Sequence, residues 1–220
     1  MWVCVEFARG HLFTGFPWNL AGYGMAFSDA SLQLASLVGV YGLTWLTVFL
    51  GALPAAVMLK YRRAGIATAL CYALFAAGCV WGALRLPEPY RVSHVEGVTL
   101  RLVQANIAQH HKWDPALQME GLKAHIRLTQ SEGIDKVTHV IWPETAVPYV
   151  IREHSALTRL LGKAIPEGKF LITGGLHAQG EGEDWAALNS IVTVNHGGDI
   201  VGRYDKHRLV PFGEFLPFRS

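Results

Sequence analysis

Two carboxylates and a lysine occupy places in this sequence where side chains do chemistry. Glu144 follows directly on the apolar run Val140-Ile-Trp-Pro143, and Lys206 follows a run that ends at Tyr204. Glu214 lies eight residues beyond Lys206, in Val210-Pro-Phe-Gly-Glu-Phe215, where Pro and Gly favour a compact loop. Open α/β sheets bind ligands beyond the carboxyl ends of their strands, so Glu144 and Lys206 could converge on one pocket. A carboxylate facing a lysine can divide the work of acyl transfer. The carboxylate removes a proton from a nucleophile, and the ammonium stabilises the oxyanion that develops. Two ordinary surface charges are the competing reading, and spacing alone does not decide between them.

The elements that would position these residues are written in the apolar pattern. Thr99–Asn106 predicts a strand, and 115–132 a helix with Met119, Leu122, Ile126 and Thr129 along one face. His139–Trp142 predicts a short buried strand stopped by Pro143. Residues 154–165 predict a second helix, with Leu157, Leu160, Leu161 and Ala164 at helical spacing. Lys169–Thr173 predicts a third strand, ended by Gly174-Gly175. Asn189–Asn195 and Asp199–Tyr204 predict a hairpin about His196-Gly197-Gly198. This order predicts an α/β layered domain with helices packed on a mixed sheet. The glycine-rich stretch from Gly174 to Gly182 opens no helix and lacks a P-loop lysine, so it reads as a flexible connection. His110-His111 point different ways with no carboxylate at ligand spacing, which reads as a loop pair, and no metal is expected.

Upstream of residue 88 the chemistry of the chain changes. The 220 residues are 51% hydrophobic and 16% charged, against about 25% charged for soluble domains. That excludes intrinsic disorder, and a net charge of +2 gives no basic surface for nucleic acid. Between Ala30 and Leu86 the charged residues are Lys60, Arg62, Arg63 and Arg85, all basic. Residues 30–59 and 64–84 are uncharged, and they predict transmembrane helices near 34–59 and 64–86, each long enough to cross a hydrocarbon core, which takes about 20 residues. Buried helices of a soluble core are the alternative. Pro54 predicts a kink in the first span. The link Lys60-Tyr-Arg-Arg63 is cytoplasmic by the positive-inside rule, which places residues before about 34 and after 87 on the outer face. No cleavable signal peptide is visible at Met1.

Residues 1–28 read as the outer end of a further helix followed by a Gly/Pro/aromatic loop, with Glu6 and Arg9 spaced to pair on one helix face. Trp18, with Phe13, Phe16 and Tyr23, suits an aromatic interface belt; the other reading is a loop that lets a lipid tail approach an outer-face active site. The expected organisation is a membrane domain at 1–88 and a layered domain at 89–220. The three cysteines, Cys4, Cys71 and Cys79, are too few for a disulfide framework.

Two longer motifs sharpen this. Trp142-Pro-Glu-Thr-Ala146 and Tyr204-Asp-Lys-His-Arg-Leu-Val-Pro-Phe-Gly-Glu-Phe215 resemble the nitrilase superfamily. Leu102-Val-Gln-Ala-Asn-Ile107, Lys112-Trp-Asp114 and Thr14-Gly-Phe-Pro-Trp18 narrow the resemblance to its membrane-anchored branch, the apolipoprotein N-acyltransferases of the bacterial inner membrane. The resemblance implies transmembrane helices followed by the N-terminal part of a nitrilase-like α-β-β-α domain. It implies Glu144 as general base, Lys206 as the oxyanion-stabilising lysine and Glu214 as a second acidic residue that helps position the triad. It also implies substrate contacts at Trp113, Phe16 and Trp18. The implied reaction needs no cofactor. An acyl chain leaves a phospholipid, usually phosphatidylethanolamine, for a cysteine thioester, and then passes to the N-terminal amine of a diacylglyceryl apolipoprotein. The implied setting is a multi-pass protein of the inner membrane with its layered domain on the periplasmic face.

One departure stands out. No cysteine occurs between residues 87 and 220, and the family places its nucleophile beyond the Pro-Phe-Gly-Glu-Phe loop. The chain therefore reads as a fragment without its nucleophile, inactive alone. Two other readings share most of these features: a non-catalytic membrane-anchored module that binds lipid or lipoprotein in a nitrilase-like pocket, and a membrane-tethered amidase.

Overall fold

A computed structural model describes residues 1–86, 94–108, 114–180 and 186–218. They form two compact units, Met1–Val92 with Arg208–Ser220, and Ser93–His207.

The first unit is helical. Helix α1 (Trp2–His11) runs into 3₁₀ turns at Leu12–Thr14 and Ala21–Phe27, then a short helix α2 (Asp29–Leu32) and the long helices α3 (Ala35–Met58) and α4 (Ala64–Arg85). Both long helices are long and apolar enough to cross a membrane. Gly82 is the one buried residue of α4, while Ile66, Leu70, Leu74 and Leu84 are all more than 60% exposed. Buried core helices do not look like this; an uncovered apolar helix of this length suits lipid. The two helices share a small apolar cluster built on Met25, Leu43 and Leu50, with Cys71 and Phe75 of α4 packed against it.

At Pro54, where a kink is expected, the backbone keeps helical φ/ψ. The non-helical residue of α3 is Gly39, at φ 67 and ψ 177, a backbone conformation open chiefly to glycine. Pro54 stays helical because its local debt is met from outside. Proline cannot donate to the carbonyl four residues back, which is Leu50, and the Tyr72 hydroxyl of α4 donates to that oxygen at 2.9 Å. The expected Glu6–Arg9 pair is also replaced. The buried Glu6 carboxylate accepts from Trp2 Nε1 at 3.0 Å and from the Ala21 amide at 3.1 Å. The segment from Arg208 packs in this unit: Thr14 Oγ1 donates to the Leu209 carbonyl at 2.5 Å, and the Phe13 ring meets Phe212 and Phe218 edge-on.

The second unit is a six-stranded mixed sheet with helices on one face. Its elements are β1 (Leu100–Leu102), α5 (Pro115–Thr129), a 3₁₀ turn at Ile134–Lys136, β2 (His139–Ile141), β3 (Val147–Ile151), α6 (Ala156–Gly162), β4 (Phe170–Gln179), β5 (Ala186–Asn195) and β6 (Ile200–Asp205). The strand order is β1-β2-β4-β5-β6, parallel as far as β4 and antiparallel after it. Asp114 caps α5 through the Ala116 amide with Pro115 in the first turn, and Ser155 caps α6 through the Thr158 amide. Alternation along the strands sends Val140, Leu171, Val192 and Val194 to the helix side, where they pack with Leu122 and Leu161. On the opposite face Leu102, Ile191 and Tyr204 are 74%, 51% and 59% exposed.

The α/β layering and mixed sheet are as expected, with three differences. Gly174-Gly175 do not end the third strand, which continues to Gln179, paired with β5 throughout and with β3 at Gly175–His177, so residues 174–179 are not a flexible connection; residues 181–185 lie outside the described ones. Strand β1 is three residues long, shorter than the predicted run to Asn106. Strand β3 had no counterpart in the sequence reading, because Pro148 sits in it. It pairs with Gly175–His177 of β4, while β2 pairs with Phe170–Ile172 along the same edge.

Candidate active site

Glu144 sits where one strand hands over to the next. After β2 the chain makes a tight turn, closed by the Ala146 amide donating to the Pro143 carbonyl at 3.2 Å, and resumes as β3. Glu144 and Thr145 are the central residues of this turn, and Thr145 has φ 53. A β-branched residue in the left-handed region is strained, and such strain tends to collect at functional positions. The turn is anchored on both sides. Trp142, 3% exposed, donates from Nε1 to Thr129 Oγ1 of α5 at 2.8 Å, and its amide donates to the Ile172 carbonyl of β4. Gly174 lies directly beneath the turn.

Lys206 comes from the far side of the sheet, one residue beyond β6, and its amide donates to the Asn189 carbonyl of β5 at 2.8 Å. Its Nζ reaches Glu144 Oε1 at 3.2 Å. Asn189 Nδ2 donates to the same oxygen at 2.9 Å. The Glu144 side chain is 63% exposed and that of Lys206 30%, so the ion pair contributes little to stability. What it provides is a carboxylate oriented by two donors at the mouth of a cavity.

Two cavities meet at Glu144. One, of about 320 Å³, is bounded by Lys206, Asn189, Tyr204, Ile172 and Gly174 on the open face of the sheet. The other, of about 150 Å³, lies between α5 and the segment after β1 and is lined by Asn106, Leu117, His125 and Pro148. A carboxylate bordering both can exchange a proton with a group bound on the open face, where Lys206 can meet a developing negative charge.

Behind this site, on the helix side of the sheet, is a polar cluster that sequence reasoning missed. Ser190, next to Asn189, donates to Asp205 Oδ1 at 2.6 Å, and Asp205 is next to Lys206. Arg203 pairs with Asp205 at 3.3 Å and lies 3.2 Å from His177 Nδ1. Burial, and then the Arg203 cation, hold the His177 imidazole below its ordinary pKa of 6.5.

Of the other expected site residues, Glu214 belongs to the first unit, where its carboxylate accepts from the Val210 amide at 2.8 Å and closes the compact loop. Phe16 and Trp18, 38% and 59% exposed, lie in that unit too. Trp113 and His110-His111 lie outside the described residues. Asn189 was missed as well. Its one signal is strand parity, since it shares a face with Ile191 and Thr193 in the predicted hairpin.

Comparison with known proteins adds lineage to this geometry. A family model described as carbon-nitrogen hydrolase matches residues 99–220, and one described as apolipoprotein N-acyltransferase N-terminal domain matches residues 1–53. The chain is 37% identical over 98% of its length to an apolipoprotein N-acyltransferase of Bradyrhizobium diazoefficiens, covering 42% of that protein. It is 39% identical over 97% of its length to one of Caulobacter vibrioides and 36% identical over 98% to one of Brucella suis, covering 41% of each. The chain thus spans about two fifths of the length of the curated relatives it matches.

Proposed function

We propose, from the premise that this chain belongs to the carbon-nitrogen hydrolase family, that it is the membrane-anchored, base-bearing part of an apolipoprotein N-acyltransferase. Residues 1–88 are taken as the membrane part and 89–220 as the N-terminal part of the catalytic domain. The observation that carries the reading is the convergence of Lys206 Nζ and Asn189 Nδ2 on one oxygen of Glu144. The two apolar helices, and the similarity to acyltransferases and not to soluble hydrolases alone, favour a lipid donor.

In this reading Glu144 takes the proton of a cysteine thiol, and the thiolate attacks an ester carbonyl of a phospholipid. Lys206 stabilises the tetrahedral oxyanion. Collapse breaks the ester bond, and the lysophospholipid alkoxide leaves with the proton from Glu144. The amine of a diacylglyceryl-cysteine then attacks the thioester; the amide bond forms, the carbon–sulfur bond breaks, and Glu144 passes the amine's proton to the departing thiolate. Residues 87–220 contain no cysteine, so we assign the nucleophile to polypeptide that the relatives have and this chain does not span. Glu214 is assigned a positioning role, and Trp113, Phe16 and Trp18 contacts with the acyl chains. Phosphatidylethanolamine is the proposed donor, and a multi-pass location in the inner membrane with residues 89–220 on the periplasmic side is the proposed setting.

The test uses the complete gene product in vesicles containing phosphatidylethanolamine. It should form an acyl-thioester and pass the acyl group to a diacylated lipopeptide. Glu144→Gln should slow thioester formation by at least about 10², and Lys206→Ala by about 10²–10³. Near-normal rates in either variant sink the assignment, and release of free fatty acid without transfer would make it a hydrolase. For orientation, Glu167→Cys, in a background of the complete gene product with every native cysteine replaced, should react with a membrane-impermeant maleimide in intact cells with a permeabilised outer membrane. Arg62→Cys should react only after lysis; the reverse pattern overturns the topology.

A further inference from the structure

The first unit contains a cavity of about 370 Å³, walled by Leu12, Phe13, Phe16, Pro211 and Phe212, and the remaining lining residue is Arg9. Arg9 lies in the last turn of α1 and is exposed. Its carbonyl is engaged, accepting from the Phe16 amide at 2.9 Å, but among the described residues its guanidinium makes no hydrogen bond or ion pair. The nearest acid along its own helix, Glu6, is buried and holds Trp2 and Ala21 instead. Among the described residues, then, no carboxylate serves as counter-anion to this arginine on an apolar, aromatic-walled cavity of the helical unit.

We propose that this cavity is a glycerophospholipid site, with the phosphodiester on Arg9 and the adjoining acyl chain against Phe13, Phe16 and Phe212. A guanidinium presents a planar fork of donors that fits two phosphate oxygens at once. Rings edge-on to one another, Phe13 with Phe212 at 6.3 Å, leave an apolar wall that a lipid tail can cover without losing a hydrogen bond. The inference rests on the acyltransferase reading, since it identifies where the donor lipid is held by its headgroup.

The test is lipid binding by the complete gene product in detergent micelles, read by native mass spectrometry. Phosphatidylethanolamine, diacylglycerol with the same chains, free palmitate and inorganic phosphate serve as probes. Arg9→Gln should weaken phosphatidylethanolamine binding by about tenfold and leave diacylglycerol unchanged, because only one of the two has a phosphate. Arg9→Lys should restore part of the loss. Phe212→Ala should weaken both lipids together. Inorganic phosphate that displaces the lipid at equal concentration, palmitate that binds as well as phosphatidylethanolamine, or an Arg9→Gln variant with unchanged preference each overturn the proposal. A misfolded variant would lose diacylglycerol too, which separates that case. Failure here leaves thioester formation through Glu144 and Lys206 standing, whereas failure of that chemistry is seen in the Glu144→Gln and Lys206→Ala rates.

Discussion

The Cα of Glu144 occupies space that any side chain at Gly174 would need: a Cβ placed there would come within 2.7 Å of it, and within 2.9 Å of the Thr145 amide nitrogen. The absence of a side chain in β4 is thus what lets the turn bearing the carboxylate lie flat on the sheet.

Gly174→Ala should therefore destabilise the chain by about 1–3 kcal/mol and displace Glu144 from Lys206. Gly175→Ala is the matched control. Its Cβ would meet the tip of the Ile151 side chain at 2.7 Å, a group that can turn aside, so the loss should be smaller. Thermal unfolding of both variants in detergent checks the order.

The Ser190–Asp205 contact should act on catalysis without touching substrate. Strand alternation places Asn189 and Lys206 on the site face and Ser190 and Asp205 on the reverse, so the 2.6 Å bond clamps β5 to β6 at the point where Lys206 leaves the sheet. In the complete gene product, Asp205→Ala should lower kcat for thioester formation by about tenfold with KM little changed, since a misplaced group costs mainly in the transition state. Hydrogen exchange at the Lys206 amide should quicken in parallel. An unchanged exchange rate with lowered kcat would contradict the clamp.

His177 gives the fold a pH dependence of definite sign. The charged groups around it are Arg203 and Asp205 from β6 and Glu153 just after β3; burial and Arg203 lower its pKa, while the two acids oppose them. The unfolded imidazole then takes up its proton first as pH falls, so stability is full above the ordinary value of 6.5 and declines below it. His177→Gln should flatten that decline when denaturation at about pH 7.5 is compared with about pH 5.5. A decline as steep as in the unaltered chain would remove His177 as its source.

Tyr72→Phe should expose the weakness that Pro54 introduces. Without the hydroxyl, the Leu50 carbonyl has neither its helical partner nor a substitute. A loss of about 0.6–1.7 kcal/mol is expected, the range for hydrogen bonds between membrane helices. In the background Pro54→Ala the same Tyr72→Phe change should cost less, and that non-additivity is the measurement to make.

Much of this architecture was readable from the sequence because local rules set it. Glu144 follows the apolar strand run ending at Trp142 and Lys206 follows the second arm of a predicted hairpin, and α3 and α4 follow from uncharged length. What was not readable depends on partners distant in sequence. Asn189 joins the site through a register between β5 and β4 that no local pattern encodes. Gly174-Gly175 looked like a strand terminator because glycine usually is one; here the neighbours crowding it are residues 143–145 and 151, brought up by β3. The hydroxyl that takes the carbonyl left open by Pro54 lies 22 residues from that carbonyl, on another helix, where no local pattern reveals it.

The handover from β2 to β3 along one edge of β4 has a mechanical corollary. Glu144 is stitched to the sheet before and after its turn, so it cannot travel without unzipping main-chain pairs on both sides. Lys206, by contrast, follows the last strand of the sheet order, with its amide on the Asn189 carbonyl, its Nζ on Glu144 and its neighbour Asp205 bonded to Ser190. In the proposed reaction, adjustment to acyl donors of different bulk then falls to the lysine at the end of the last strand, with the carboxylate as its fixed bearing.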